Sequence, residues 1–144
     1  MSLFLKLSVK EIEDLLKFPA YISILAAFRN TKLEEGEKKA AIKFSHTQTF
    51  ISDPLLKAYY KEADKVFEKN IEQLDRDLPK NANKREAAII KELKQIEKII
   101  LKLGIEFAST MNRSMNAFTR HVSKAHYNVL TDYVFPLTAL GLAD

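Results

Sequence analysis

The chain has 144 residues and carries 23 Lys plus Arg against 19 Asp plus Glu, a formal net charge of +4. Its hydrophobic (47%), aromatic (10%) and charged (29%) fractions are ordinary for a folded domain, and they exclude disorder, which needs low hydrophobicity with high net charge. The absence of cysteine removes disulfides, zinc fingers, iron–sulfur clusters and thiol nucleophiles together, and 3 glycines with 4 prolines are too few for a turn-rich sandwich.

The length predicts a single domain over residues 1–144. The longest uncharged stretches, Phe18–Phe28 and Tyr133–Ala143, fall well short of the ~20 apolar residues of a membrane-spanning helix. Met1–Leu7 is apolar but lacks the basic start and small-residue cleavage site of a signal peptide, so a cytoplasmic location is expected. The small positive charge favours solubility and is weak support for a nucleic-acid partner.

Nearly every segment has a helical period. Ser8-Val9-Lys10-Glu11 has the form of a capping box, opening a short helix with Ile12, Leu15 and Leu16 on one side. Pro19 starts a second helix, to about Phe28, that is apolar on nearly every side and therefore expected to be buried. Thr31-Lys32-Leu33-Glu34 is a second capping-box candidate, followed by a stripe of Leu33, Gly36, Ala40, Phe44, Thr47 and Ile51. Ser52-Asp53-Pro54 is the clearest start signal, a cap with proline in the first turn. The helix it opens should bury Leu56, Tyr59, Tyr60, Ala63, Phe67, Ile71 and Leu74. Rows of Lys57/Lys61/Lys65/Lys69 and Asp64/Glu68/Glu72 form its solvated, salt-bridged face.

Leu78–Asn83 reads as a loop, with Asn83-Lys84-Arg85-Glu86 capping the next helix. Then Ile89, Leu93, Ile96, Ile100, Leu103, Phe107 and Met111 recur in helical steps. The favoured reading runs one helix through Gly104, whose missing side chain lets a neighbour pack close; the alternative is a C-cap at Gly104 and a new helix after it. Asn112-Arg113-Ser114 is a further cap-capable point, leading a stripe of Met115, Phe118, Val122, Ala125, Val129 and Tyr133. That helix ends near Phe135 because Pro136 restricts the residue before it. The small, apolar tail Leu137–Asp144 is expected to lie against the bundle. No period-two run and no Asn-Gly or Asp-Gly hairpin signal occurs. The expected fold is all-α, about six helices around a buried central one.

Catalytic and metal constellations are sparse. His121 and His126 are five apart and point ~140° away from each other around a helix, so they cannot share one ion. His46 falls near Glu35, Lys39 and Lys43 on an outer face. Asp64 and Glu68, four apart, have metal-pair spacing but are flanked by lysines. No histidine follows a carboxylate at the Glu-x-x-His spacing of ferritin-like sites, and the isolated Gly36, Gly104 and Gly141 make no phosphate-binding loop or nucleophile elbow. The sequence therefore reads as non-enzymatic, with no cofactor. One surface feature is sharper. Lys91, Lys94, Lys98 and Lys102 fall within a ~80° arc opposite the apolar stripe, a basic ridge only partly offset by Glu97 and Glu106. It can meet an acidic partner, an anionic membrane surface or RNA, and the plain reading beside these is a solvated face. No aromatics alternate with these lysines for base stacking, which argues against nucleic acid.

The segment Ile24-Leu25-Ala26-Ala27-Phe28-Arg29-Asn30-Thr31-Lys32-Leu33-Glu34-Glu35-Gly36-Glu37 places a buried small-residue helix before a polar loop and an acid-led amphipathic helix. It resembles the TerB-like fold of tellurite-resistance proteins, and Glu106–Ala108 through Phe118–Val122 resembles later helices of divergent members. The resemblance implies an all-helical cytoplasmic bundle tied to stress response, and metal binding by an acidic loop, here through Asn30, Glu34 and Glu37. Where that family has Asp-Gly this chain has Asn30-Thr31, which removes a charged ligand and the residue best suited to a tight turn. The leading expectation is a TerB-like protein-interaction or stress-associated module. The alternatives are metal binding at the Asn30–Glu37 loop and docking of an acidic partner on the lysine ridge.

Overall fold

The computed structural model describes residues 2–26 and 35–122. A 3-10 turn, Ser2–Lys6, leads into six α-helices: α1 (Val9–Leu16), α2 (Phe18–Ala26), α3 (Glu35–Ile51), α4 (Pro54–Asp77), α5 (Ala82–Leu101) and α6 (Ile105–Val122). No strand occurs among the described residues. The Thr31–Glu34 cap, the stripe beyond Val122 and the tail Leu137–Asp144 lie outside them.

The caps explain the starts. Ser8 Oγ accepts from the Glu11 amide at 3.1 Å while the Glu11 carboxylate accepts from the Ser8 amide at 2.9 Å, a closed capping box. Asp53 Oδ1 accepts from the Leu55 amide at 2.9 Å, with Pro54 in the first turn of α4. At α5 the cap is Asn81, two residues before the expected Asn83. Its Oδ1 accepts from the Lys84 amide at 3.0 Å, and the helix is already under way at Asn83.

Helix α2 is the hub. From Phe18 to Leu25 every residue is buried, and the helix touches all five others. Its serine hydroxyl, Ser23 Oγ, donates back to the Pro19 carbonyl at 2.8 Å, so that buried group is satisfied within the helix. Two tyrosines of α4 fasten neighbours around it. The Tyr59 hydroxyl donates to the Leu15 carbonyl at 2.8 Å, and the Tyr60 hydroxyl pairs with Ser114 Oγ of α6. The Tyr59 ring also meets Tyr60 and Phe107 edge-on, at centroid distances of 5.3 and 6.5 Å.

The long stripe does not run through Gly104. Helix α5 ends at Leu101, Gly104 has φ +103°, and α6 starts at Ile105. Nothing lies within 4 Å of where a Gly104 β-carbon would sit, so the glycine serves backbone conformation and not close packing. The apolar rhythm continues across the break because Phe107, Ala108 and Met111 return to the same core. A Gly104→Ala variant should therefore lose about 1–2 kcal/mol, read as a lower urea midpoint. A continuous helix would instead gain about 1 kcal/mol from the same change.

The Asn112–Ser114 point is no break either. Helix α6 passes through it with Met111 and Met115 buried, since nothing there forces φ positive or removes an amide donor. Helix α3 is rotated from expectation. Its buried face is Ala41, Phe44, Ser45 and Gln48, followed by Ser52, while Ile51 stands out in solvent and Gly36 is exposed. Of these inner polar side chains, Ser45 has its partner in the next helix, its Oγ donating to Asp64 at 2.9 Å. The inner face of α4 is as expected, except that Leu74 is half-buried and Asp75 joins it.

Candidate functional site

The C-terminal end of helix α3 presents two adjacent large apolar side chains to solvent. Phe50 and Ile51 are each 67% exposed, and Leu55, in the first turn of α4, is 37% exposed. The polar inner face of α3 explains this. With Ser45, Gln48 and Ser52 turned inward, the helix has no room to bury positions 50 and 51. A groove of about 370 Å³ runs along the outer side, lined by Ala40, Lys43, Phe44, Thr47 and Ile51. Lys39 and Lys43 stand exposed beside it. Two neighbouring exposed apolar side chains, one of them lining a groove, are what a protein-binding surface needs, whereas single exposed apolar residues mean little.

His46 is exposed on the same helix but does not engage Glu35, Lys39 or Lys43. Its Nδ1 lies 3.1 Å from Asp64 of α4, and its ring meets Phe50 edge-on at 5.4 Å. Asp64 is thereby turned toward α3 and away from the lysine rows of α4. Along those rows the pair formed is Lys65 with Glu62, at 3.0 Å.

The lysine ridge is divided. Lys91, Lys94 and Lys98 are exposed on α5, but Lys102, at the end of that helix, pairs with Glu11 of α1. The Lys102 ammonium and the Ser8 amide hold the Glu11 carboxyl below its usual range. A hollow of about 420 Å³ between α1 and α5 sets Lys10, Lys98 and Lys102 among Glu11, Asp14 and Glu92, so that side of the ridge is charge-balanced. Glu97 turns inward instead of offsetting the row. Burial pushes its carboxyl up, and its Oε2 has no hydrogen-bond partner. Lys91 and Lys94 remain the outward part.

Of the proposed metal-loop residues, Asn30 and Glu34 lie outside the described residues, and Glu37 sits half-buried in the first turn of α3. His126 and the side chain of His121 also lie outside them. Among the described residues no group of three His, Asp or Glu is placed to hold a metal ion, Asp64 and Glu68 included. No helix there is long and apolar enough to cross a membrane.

Sequence reasoning missed the buried pair Arg85–Asp75. Arg85 is 3% exposed, and its Nη2 donates to the Asp75 carboxylate. Its Nη1 reaches the carbonyls of Asp75 (3.2 Å), Leu78 (3.4 Å) and Pro79 (3.3 Å). The signal was there. Asp75 follows Phe67 and Ile71, and Arg85 precedes Ile89, each at a stripe position where a charge has no place unless paired.

No protein-family model, no curated protein and no solved structure matches the chain.

Proposed function

We propose that the protein is a non-enzymatic, TerB-like helical module tied to stress response, which works by binding an amphipathic helix of a partner protein in the groove of α3. The observation that carries this reading is the pairing of Phe50 and Ile51, two-thirds exposed, with the apolar groove beside them. Lys39 and Lys43 along that groove favour an acidic flank on the partner helix, since complementary charge fixes register and speeds encounter. The TerB-like reading is supported by the buried stretch Phe18–Leu25 of α2, followed in the chain by α3 with Glu35 and Glu37 in its first turn.

Burial of a Phe or Ile side chain is worth about 1.5–3 kcal/mol, so either residue alone should matter to affinity. The double variant Phe50→Ser/Ile51→Ser is expected to unfold within about 0.5 kcal/mol of the parent. It should lose a partner in affinity isolation that Lys91→Glu/Lys94→Glu retains. The reverse pattern would move the site to the lysine ridge, and retention by both variants would remove both surfaces.

A further inference from the structure

Helix α3 carries both halves of a fit. A groove of about 370 Å³ opens along it, and among the described residues its lining comes from α3 alone, so a second helix laid along α3 would run over it. Ile51, at one end of that lining, and its neighbour Phe50 are each two-thirds exposed. A surface that bears both a hollow and the side chains to fill one can pair with itself, as a two-fold dimer interface must.

Thr47 is the place for the two-fold axis. It lies between Phe44 and Ile51 on the groove and is half-buried. Its Oγ1 donates to the Lys43 carbonyl at 2.9 Å, so a copy of itself packed against it strands no hydroxyl. With two α3 helices antiparallel and Thr47 on Thr47, each flank of the helix faces the same flank of its copy. At ~1.5 Å per residue, Ile51 lies about 6 Å beyond the axis and comes over Phe44 of the other copy, about 4.5 Å before it. On the opposite flank Phe50, about 4.5 Å beyond the axis, meets the aliphatic stem of Lys43, about 6 Å before it. Charge completes the match. The helical path continues to Ser52, whose amide donates to the Gln48 carbonyl at 3.2 Å, and Asp53 follows it. Asp53 therefore falls about 9 Å beyond the axis, between Lys43 and Lys39 of the other copy at about 6 and 12 Å. All three side chains are exposed. Asp53 is thus the acidic flank that the lysines of the groove favour.

We infer that the occupant of the α3 groove is a second copy of this chain, held as an antiparallel two-fold pair of α3 helices. This pairing rests on the reading of α3 as a docking face and names what docks there. The patch is small, so pairing is expected to be weak and concentration-dependent. Sedimentation equilibrium of the purified chain should give a mass that rises from one chain toward two as concentration reaches about 1 mM, the weak end of specific association. Thr47→Lys sets two ammonium groups face to face on the axis and should weaken pairing about tenfold or more. Its Tm should stay near the parent's, because lysine suits a helix better than threonine. Lys39→Glu/Lys43→Glu and Asp53→Lys should each be monomeric alone yet associate when mixed, each offering the charge the other lacks. Asp53→Lys gives up the α4 cap, and helical circular dichroism checks that it folds. A parent chain that stays monomeric throughout, or a Thr47→Lys variant that pairs like the parent, would overturn the assignment. So would a mixture of folded charge variants that stays monomeric. A monomeric parent whose position 50 crosslinks to a different protein would end the self-pairing and keep α3 as a docking face. A monomeric parent with no crosslink would end both.

Discussion

Replacing Arg85 with alanine is expected to destabilise the fold by about 3–5 kcal/mol, a large part of the ~5–15 kcal/mol that holds a domain together. The loss comes from what is left behind. Asp75, itself buried, keeps its carboxylate without the guanidinium, and the carbonyls of Asp75, Leu78 and Pro79 lose a donor. Those carbonyls form the turn from α4 to α5, where Lys80 Nζ adds a bond to the Asp75 carbonyl at 2.7 Å. The double change Arg85→Met/Asp75→Leu should recover most of the loss, because a buried ion pair is dangerous to break but not costly to replace whole. Urea denaturation checks both. A loss below 1 kcal/mol for Arg85→Ala would mean that the pair is not buried as described.

Alkaline unfolding should be unusually steep. Burial pushes the phenols of Tyr59 and Tyr60 well above the ordinary value near 10, with the Ser114 bond opposing part of the shift for Tyr60. Burial, with the negative charges of Glu92 and Asp14, pushes Tyr21 up to about 12. Each group is an acid whose folded pKa lies above its unfolded one. The folded state therefore holds its proton while the unfolded chain releases it, and stability is complete below pH 10 and lost as pH rises beyond it. The loss approaches about 1.4 kcal/mol per pH unit for each such tyrosine once the unfolded phenol is ionised, so the three together cost about 3 kcal/mol between pH 10 and 11. Tyrosinate absorbance and helical circular dichroism should change together, and Tyr59→Phe should flatten the slope. That variant also loses the bond to the Leu15 carbonyl, at a cost of about 1 kcal/mol near neutral pH. Free titration of these phenols near pH 10 with the helices intact would contradict their burial.

The parts of the fold that were legible in the sequence are those where local chemistry and burial agree. Ser8 with Glu11, and Asp53 with Pro54, mark helix starts by satisfying amides that any helix would leave open. Leu56, Tyr59, Tyr60, Ala63, Phe67 and Ile71 mark the inner face of α4 because every member is apolar. Helix α3 was harder to read for the opposite reason. Its inner positions include Ser45, Gln48 and Ser52, and a search for apolar periodicity selects Ala40, Thr47 and Ile51, one residue off that face. Gly104 was misread because a rhythm that survives a helix break looks like a helix without one, and only its positive φ distinguishes the two.

The candidate site divides along the same line. Lys91, Lys94, Lys98 and Lys102 were visible as a row, but the capture of Lys102 by Glu11 joins residues far apart in the chain, and no spacing rule reports it. The exposure of Phe50 and Ile51 follows from the rotation of α3 and was invisible for the same reason as that rotation.

On the proposed reading the outer face of α3, and not the lysine ridge of α5, receives a partner. Site-specific photo-crosslinking tests it most directly, with benzoylphenylalanine placed at Phe50 in one variant and at Lys94 in another. One discrete crosslinked partner is expected from position 50, mapped to an amphipathic segment with an acidic flank, and none from position 94. A partner captured from position 94 and not from position 50 would contradict it.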